Sequence, residues 1–336
     1  MEDGEPVTQP VFIRGDYNSP GEEAPRAFPA ILAKFDNQPA FIGSGKGSDK
    51  GSGRLQFAEW MTQPEHPLTS RVLVNRLWQW HFGEGLVRTP DNFGKMGERA
   101  SHPELLDFLA REFVQSGWSI KAMHRVMMLS NTYQMASENT AALSADQDNR
   151  LLSRFNRRRL AVEELRDGLL AIDGTVDLTM GGSLQSGRGT DGENNQGRLS
   201  INPDTQKRRT VYLPLRRANL SPLLNLFDFG DATTMSGKRQ LTNVSTQALF
   251  WLNSEFLTER STTIAKSLLN DTKLTDEARI ASLYLRVLNR TADAGEVAAA
   301  LQYVNAFKQK FAGDDAKAWQ SFCRVLMASN DFLYVD

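Results

Sequence analysis

The residue types in this chain best suited to chemistry are its histidines. All four (His66, His81, His102 and His124) fall within one stretch, together with four of the six tryptophans (Trp60, Trp78, Trp80 and Trp118). The carboxylates Asp91, Glu98, Glu104 and Asp107 lie among them. Neutral imidazole with carboxylate suits zinc or a similar ion, and the same groups can pass protons as general acid and base. The spacing narrows that reading. No two histidines stand at i, i+3 or i, i+4, and no His-Glu-x-x-His occurs. A metal or catalytic site would therefore be assembled from separate segments, with His81, Asp91, His102 and Asp107 as its candidate members. The competing reading gives the histidines to helix caps and core. His66 and His102 each precede a proline near a helix start, where an imidazole can serve backbone groups.

Three further groups of side chains invite a binding role. Arg71, Asn75 and Gln79 form one polar stripe on an otherwise apolar helix over 68–82. Buried unpaired they would cost several kcal/mol, so they need either partners or a ligand. Trp78 could offer a sugar-stacking face. Trp80 cannot share it, because two residues turn the helix by about 200°. The arginine run Arg154, Arg157, Arg158 and Arg159 could grip sulfate or phosphate, more so if Arg208, Arg209, Arg216 and Arg217 fold beside it. The interspersed acids argue instead for internal pairs, Arg159 with Glu163 and Glu163 with Arg166.

Several local matches carry little. Arg14-Gly-Asp has the sequence of an integrin-type tripeptide, and a turn with an Arg–Asp contact explains it equally well. Asp228-Phe-Gly lacks the Gly-rich and catalytic loops of a kinase. The lysines of 43–53 do not have phosphate-loop spacing, and no Gly-x-Ser-x-Gly elbow occurs. Cys323, the single cysteine, has apolar helical neighbours and reads as inert core.

The elements that must position these residues are mostly helices. The chain has 336 residues and a formal net charge of −1, which argues against a bulk electrostatic grip on nucleic acid or anionic lipid. No stretch approaches a membrane span, and the acidic start at Met1 is unlike a secretory signal. Residues 1–53 read as an extended Pro/Gly-rich arm, with a short strand at Val11–Ile13 and a flexible loop at 43–53. Helices are expected over 54–61, 68–82 with Gly83 as its cap, from Ser101 with a Ser101–Glu104 capping box, from Ser119, and over 160–172. A Gly/Ser-rich loop at 180–204 is long enough to be mobile, functional or a boundary. Thr210–Leu213 reads as an edge strand. Further helices are expected over 246–257, 259–269, 276–288, 294–311 with an Asp293–Glu296 box, and 316–329. No repeat of fixed period appears. The fold expected is mainly α: two packed helical subdomains, 54–179 and 205–336, with a few short peripheral strands.

Several runs, taken together, resemble one family. They include Arg14-Gly-Asp-Tyr, His66-Pro-Leu-Thr-Ser-Arg-Val-Leu-Val-Asn-Arg-Leu-Trp-Gln-Trp-His-Phe-Gly, Thr89-Pro-Asp-Asn-Phe-Gly and Ser101-His-Pro-Glu-Leu-Leu-Asp. Later come Arg157-Arg-Arg-Leu-Ala-Val-Glu-Glu-Leu-Arg-Asp, Phe227-Asp-Phe-Gly-Asp, Thr246-Gln-Ala-Leu and the closing Ser329-Asn-Asp-Phe-Leu-Tyr-Val-Asp. They resemble the C-terminal domain of unknown function found in large exported proteins of Planctomycetes and their relatives, often behind a cytochrome c domain. The resemblance implies an extracytoplasmic setting, with exported sulfatase-like proteins or a cytochrome-containing protein as partners. It implies no particular reaction. The haem-attachment motif Cys-x-x-Cys-His is absent, as is a signal peptide, which fits a fragment of a longer protein or a shortened gene.

The resulting expectation is a non-catalytic accessory or scaffold module of an exported assembly, binding a glycan (an anionic one included) or a protein partner. Its binding candidates are Arg71, Asn75, Gln79, Trp78, Arg157 and Arg158. No cofactor is expected, and a bound metal is left open. The alternative is a hydrolase acting on a polysaccharide or ester with the histidines and carboxylates of 66–124.

Overall fold

The computed structural model describes residues 8–24, 27–32, 52–182, 205–215, 220–231 and 233–335. Nearly all of the 43–53 and 180–204 loops lie outside the described residues, as do Arg216 and Arg217. Among the described residues there are thirteen α-helices and two sheets of two strands each, so the protein is mainly α. It forms two compact units, Met1–Asn156 and Arg157–Asp336.

The first unit contains the antiparallel hairpin β1 (Pro10–Phe12) and β2 (Pro20–Glu23) and the helices α1 (Arg54–Met61), α2 (Thr69–Phe82), α3 (Pro103–Gln115), α4 (Ile120–Met128) and α5 (Thr140–Ala145). Helix α2 packs on α3 and α4 through Val74, Leu77, Trp78 and Phe82, which meet Leu106, Leu109, Phe113, Met123 and Met127 in one core. Ser119 caps α4 by accepting from the Ala122 N–H, as its sequence position predicts. Helix α3 differs from expectation. Its N-cap is His102, with no side-chain bond to the helix, and Ser101 Oγ bonds His102 Nδ1 instead. The residue before a proline is pushed out of the helical region, so Pro103 forces the helix to start one residue later than a Ser101–Glu104 box requires.

The turn after α2 is held from inside the helix. Gly83 closes α2 with φ +82°. The side chain of Asn75, fully buried, then takes both backbone groups of Val87: its Nδ2 donates to the carbonyl at 3.0 Å, and its Oδ1 accepts from the N–H at 2.8 Å. Gly85 makes room for this clamp, since a Cβ there would stand 2.6 Å from the Val87 carbonyl and 2.7 Å from Asn75 Nδ2. The polar stripe of α2 is thus a set of internal ties at two of its three positions, with Arg71 Nε on Asp107 at 2.7 Å.

The second unit holds β3 (Arg158–Arg159), α6 (Val162–Ile172), α7 (Pro222–Leu226), α8 (Ser245–Asn253), α9 (Glu255–Asn270), α10 (Asp276–Leu288), α11 (Ala294–Lys310), α12 (Asp315–Met327), α13 (Asn330–Leu333) and β4 (Tyr334–Val335). Helix α12 lies against α9, α10 and α11 around Trp319 and Cys323, both fully buried. Burial pushes the Cys323 thiol up to about 12, consistent with an inert core cysteine. The Asp293–Glu296 capping box forms both of its bonds, and Arg290 on Glu296 holds that carboxyl down to about 2.

The division falls at 156/157 rather than within 180–204. Val162, Leu165, Leu169 and Ile172 of α6 join the second core, and β3 pairs with β4 at the other end of the unit. Thr210–Tyr212 is a 3-10 turn, not a strand, because the Thr210 N–H and hydroxyl both donate to Asp167 Oδ1 on α6 and, among the described residues, no partner strand takes the backbone. The helix expected over 246–257 breaks at Ser254, whose extended backbone and side chain cap α9.

Asn75→Ala should lower stability by about 2–4 kcal/mol, because it leaves two buried backbone groups of Val87 without partners. Chemical denaturation checks this, and Gly85→Ala should be destabilising in the same assay through the clash with the clamp.

Candidate functional site

The sequence candidates of the first unit are drawn to different partners. Asp107 pairs with Arg71, and Arg71 also donates to the Pro67 carbonyl at 2.9 Å. Asp91 faces Arg76 at 3.5 Å, both exposed. His102 bonds Ser101. His81 Nε2 lies 2.7 Å from His124 Nδ1, with the Tyr133 ring edge-on against His81. Trp78 is core and stacks on Phe82, with ring centroids 4.0 Å apart, whereas Trp80 is 61% exposed. Gln79 is buried. Among the described residues no group of three or more His, Cys, Asp and Glu could hold a metal ion.

His66 is a cap. Its Nδ1 accepts from the Thr69 and Leu68 N–H groups at 3.1 and 3.3 Å, and Thr69 Oγ1 lies 2.9 Å away. The ring is 7% exposed and meets the edge of Trp60. This arrangement requires a neutral ring protonated on Nε2, and burial lowers the His66 pKa in the same direction.

The arginine run is engaged by its own unit. Arg158 forms a bidentate pair with Glu164, at 2.9 and 3.0 Å. Arg159 Nη1 donates to the Thr242 carbonyl and to Gln247 Oε1. The expected Arg159–Glu163 and Glu163–Arg166 pairs do not form. Arg159 sits in β3, outside the helix that i, i+4 spacing assumes, and Glu163 pairs with Arg239 at 2.8 Å. Arg166, 2% exposed, donates to the Arg208 and Gln206 carbonyls and to Thr210 Oγ1. Arg208 donates to the Thr179 and Gly181 carbonyls, and Arg157 is exposed. The tripeptide at Arg14 is a turn, but its Asp16 carboxylate accepts from the Asn18 N–H and Ser19 hydroxyl rather than meeting Arg14.

Asp228, whose triplet carries little on sequence, anchors a network that joins three of the quoted runs. It has φ 58°, and its carboxylate accepts from the Thr242 N–H and hydroxyl, each at 2.8 Å. Gln247, 1% exposed, donates to the Leu226 carbonyl and accepts from Arg159.

A cleft that sequence reasoning did not single out opens in the second unit. It encloses about 320 Å³ between α7, α8 and α9. Pro222, Leu223 and Leu226 come from α7, Phe250 and Ser254 from the end of α8, and Glu255, Phe256 and Glu259 from the first turns of α9, with Thr205 beside them. Glu255 and Glu259 stand one helical turn apart and so project on one side. Both are exposed, and Glu259 also meets Arg260 at 2.6 Å. The Arg260 guanidinium lies over the Phe256 ring, 5.0 Å from its centroid. The cleft borders the helix break at Ser254, which helical periodicity alone does not show. Phe250 and Phe256 line the cleft while also packing, partly buried, against the core.

The sequence profile of the PSD1 family, described as a protein of unknown function (DUF1553), matches residues 53–304. No curated protein and no solved structure matches this chain significantly. The chain therefore belongs to the PSD1 (DUF1553) family.

Because the His66 pKa is lowered on folding, its contribution is full above the ordinary imidazole value of about 6.5 and is lost as pH falls toward the folded value. The thermal midpoint should drop between about pH 7.5 and about pH 5, and the drop should shrink in His66→Asn, which keeps an acceptor but cannot titrate.

Proposed function

Starting from a family with no assigned activity, we propose that this chain is a non-catalytic accessory module that binds a protein partner through the α7–α9 cleft. Its occupant is a partner segment bearing an apolar side chain beside a lysine or arginine. The observation that carries this reading is the cleft's composition: an apolar floor of Leu223, Leu226, Phe250 and Phe256 with Glu255 and Glu259 on one side. Apolar walls reward desolvation of an apolar side chain. Exposed carboxylates steer and orient a cation, and Phe256 already holds a guanidinium from its own chain.

The hydrolase reading finds less support. His81, Asp91, His102 and Asp107 each have a different partner, and the cleft is lined by no histidine. The arginines that would hold an anionic glycan are largely bonded to their own unit's carbonyls and carboxylates. An exported assembly, with a sulfatase-like or cytochrome-bearing protein as the partner, rests on the resemblance of the quoted sequence runs.

The test is fluorescence anisotropy with two labelled peptide pools, one alternating leucine with lysine and one alternating leucine with glutamate. The basic pool should bind, and Glu255→Lys with Glu259→Lys together should weaken it by about tenfold or more. Equal binding of the two pools, or binding of a neutral glucan with no peptide binding, would overturn the proposal.

A further inference from the structure

The first unit carries a second feature, separate from the cleft. His81 is in the last turn of α2 and His124 is near the middle of α4. Their side chains bring Nε2 of one ring to within 2.7 Å of Nδ1 of the other, with the ring planes at 71°. Only one proton fits between two nitrogens at that distance, so at least one of them presents a lone pair to the other.

We propose that His81 and His124 together chelate a nitrogen-preferring divalent cation such as Zn²⁺, Ni²⁺ or Cu²⁺, and discriminate against Mg²⁺ and Ca²⁺. Two imidazoles bound to one tetrahedral ion at about 2.0–2.1 Å hold their nitrogens about 3.3 Å apart. Reaching that separation takes an opening of about 0.6 Å, within the reach of side-chain rotation. The helices that carry the rings are fixed by the core. Trp78 and Phe82 flank His81 in α2, and Met123 and Met127 flank His124 in α4, all buried. The Tyr133 ring, edge-on at 5.5 Å, limits the orientations of the His81 imidazole.

Two further observations favour a cation at this place. The C-terminal end of α2 carries the negative end of its helix dipole, which His81 adjoins. Both residues are partly rather than fully buried, so an ion can arrive from solvent and keep water in its remaining positions. Among the described residues no third His, Cys, Asp or Glu joins them, so these residues supply two ligands, fewer than the four of a structural zinc. Neutral imidazole is the form in which histidine binds such an ion.

The experiment is a Zn²⁺ titration of the full chain, purified without a histidine tag, by competition with a colorimetric chelator. The wild type should take up one Zn²⁺ saturably and show no matching Mg²⁺ binding. His124→Gln should weaken Zn²⁺ about tenfold or more, and His102→Gln should leave it unchanged. Absence of saturable Zn²⁺ binding, or an unchanged affinity in His124→Gln, would overturn the assignment. Should His124→Gln fail to fold, Cu²⁺ electron paramagnetic resonance on the wild type decides. Hyperfine coupling to two imidazole nitrogens supports the site, and coupling to one or none rejects it.

Discussion

A peptide group removed from water must find a hydrogen-bond partner, and here the connections between helices find theirs on a few buried side chains. Asn75 holds the turn at Val87. Arg166 and Asp167, adjacent on α6, hold 206–210 by its carbonyls and by Thr210. Gln247 and Asp228 hold the segment between α7 and α8. Asn149 holds the loop before the second unit, donating to the Arg154 carbonyl at 2.7 Å and accepting from the Ser153 N–H. With almost no sheet among the described residues to absorb the backbone, these irregular segments each depend on one or two polar side chains.

That constraint shapes the functional reading. Polar residues on an apolar helix look alike in sequence whether they await a ligand or hold a loop. Asn75, Arg158, Arg159 and Arg166 hold their own chain, so the chemistry they could offer a ligand is already directed inward. What remains directed outward is modest. Among the described residues it includes an apolar cleft edged by two glutamates where α8 gives way to α9, and a pair of imidazoles where α2 meets α4.

Local signals were legible where the physics is local. Ser119 caps α4, Asp293 and Glu296 form their box, and α10 spans Asp276–Leu288, because a cap bonds groups within four residues and helical periodicity repeats every turn. The Ser101 box does not form, and the deciding residue is Pro103. Its effect on His102 outweighs the capping preference of Ser101. The glycine-rich run 180–204 was a natural place to divide the chain, but composition marks a loop, not the side on which the preceding helix packs.

The sequence by itself determined the mainly helical class, most helix spans, and which stretch holds the histidines, since these follow from side-chain periodicity and backbone preference. Only the tertiary structure decided that His81 meets His124 rather than His102, that α6 belongs to the second core, and that Phe250 and Phe256, packed against that core, also line a cleft. Each of these depends on which helix lies against which. That choice is made by burial summed over many side chains far apart in the chain, and no local spacing records it.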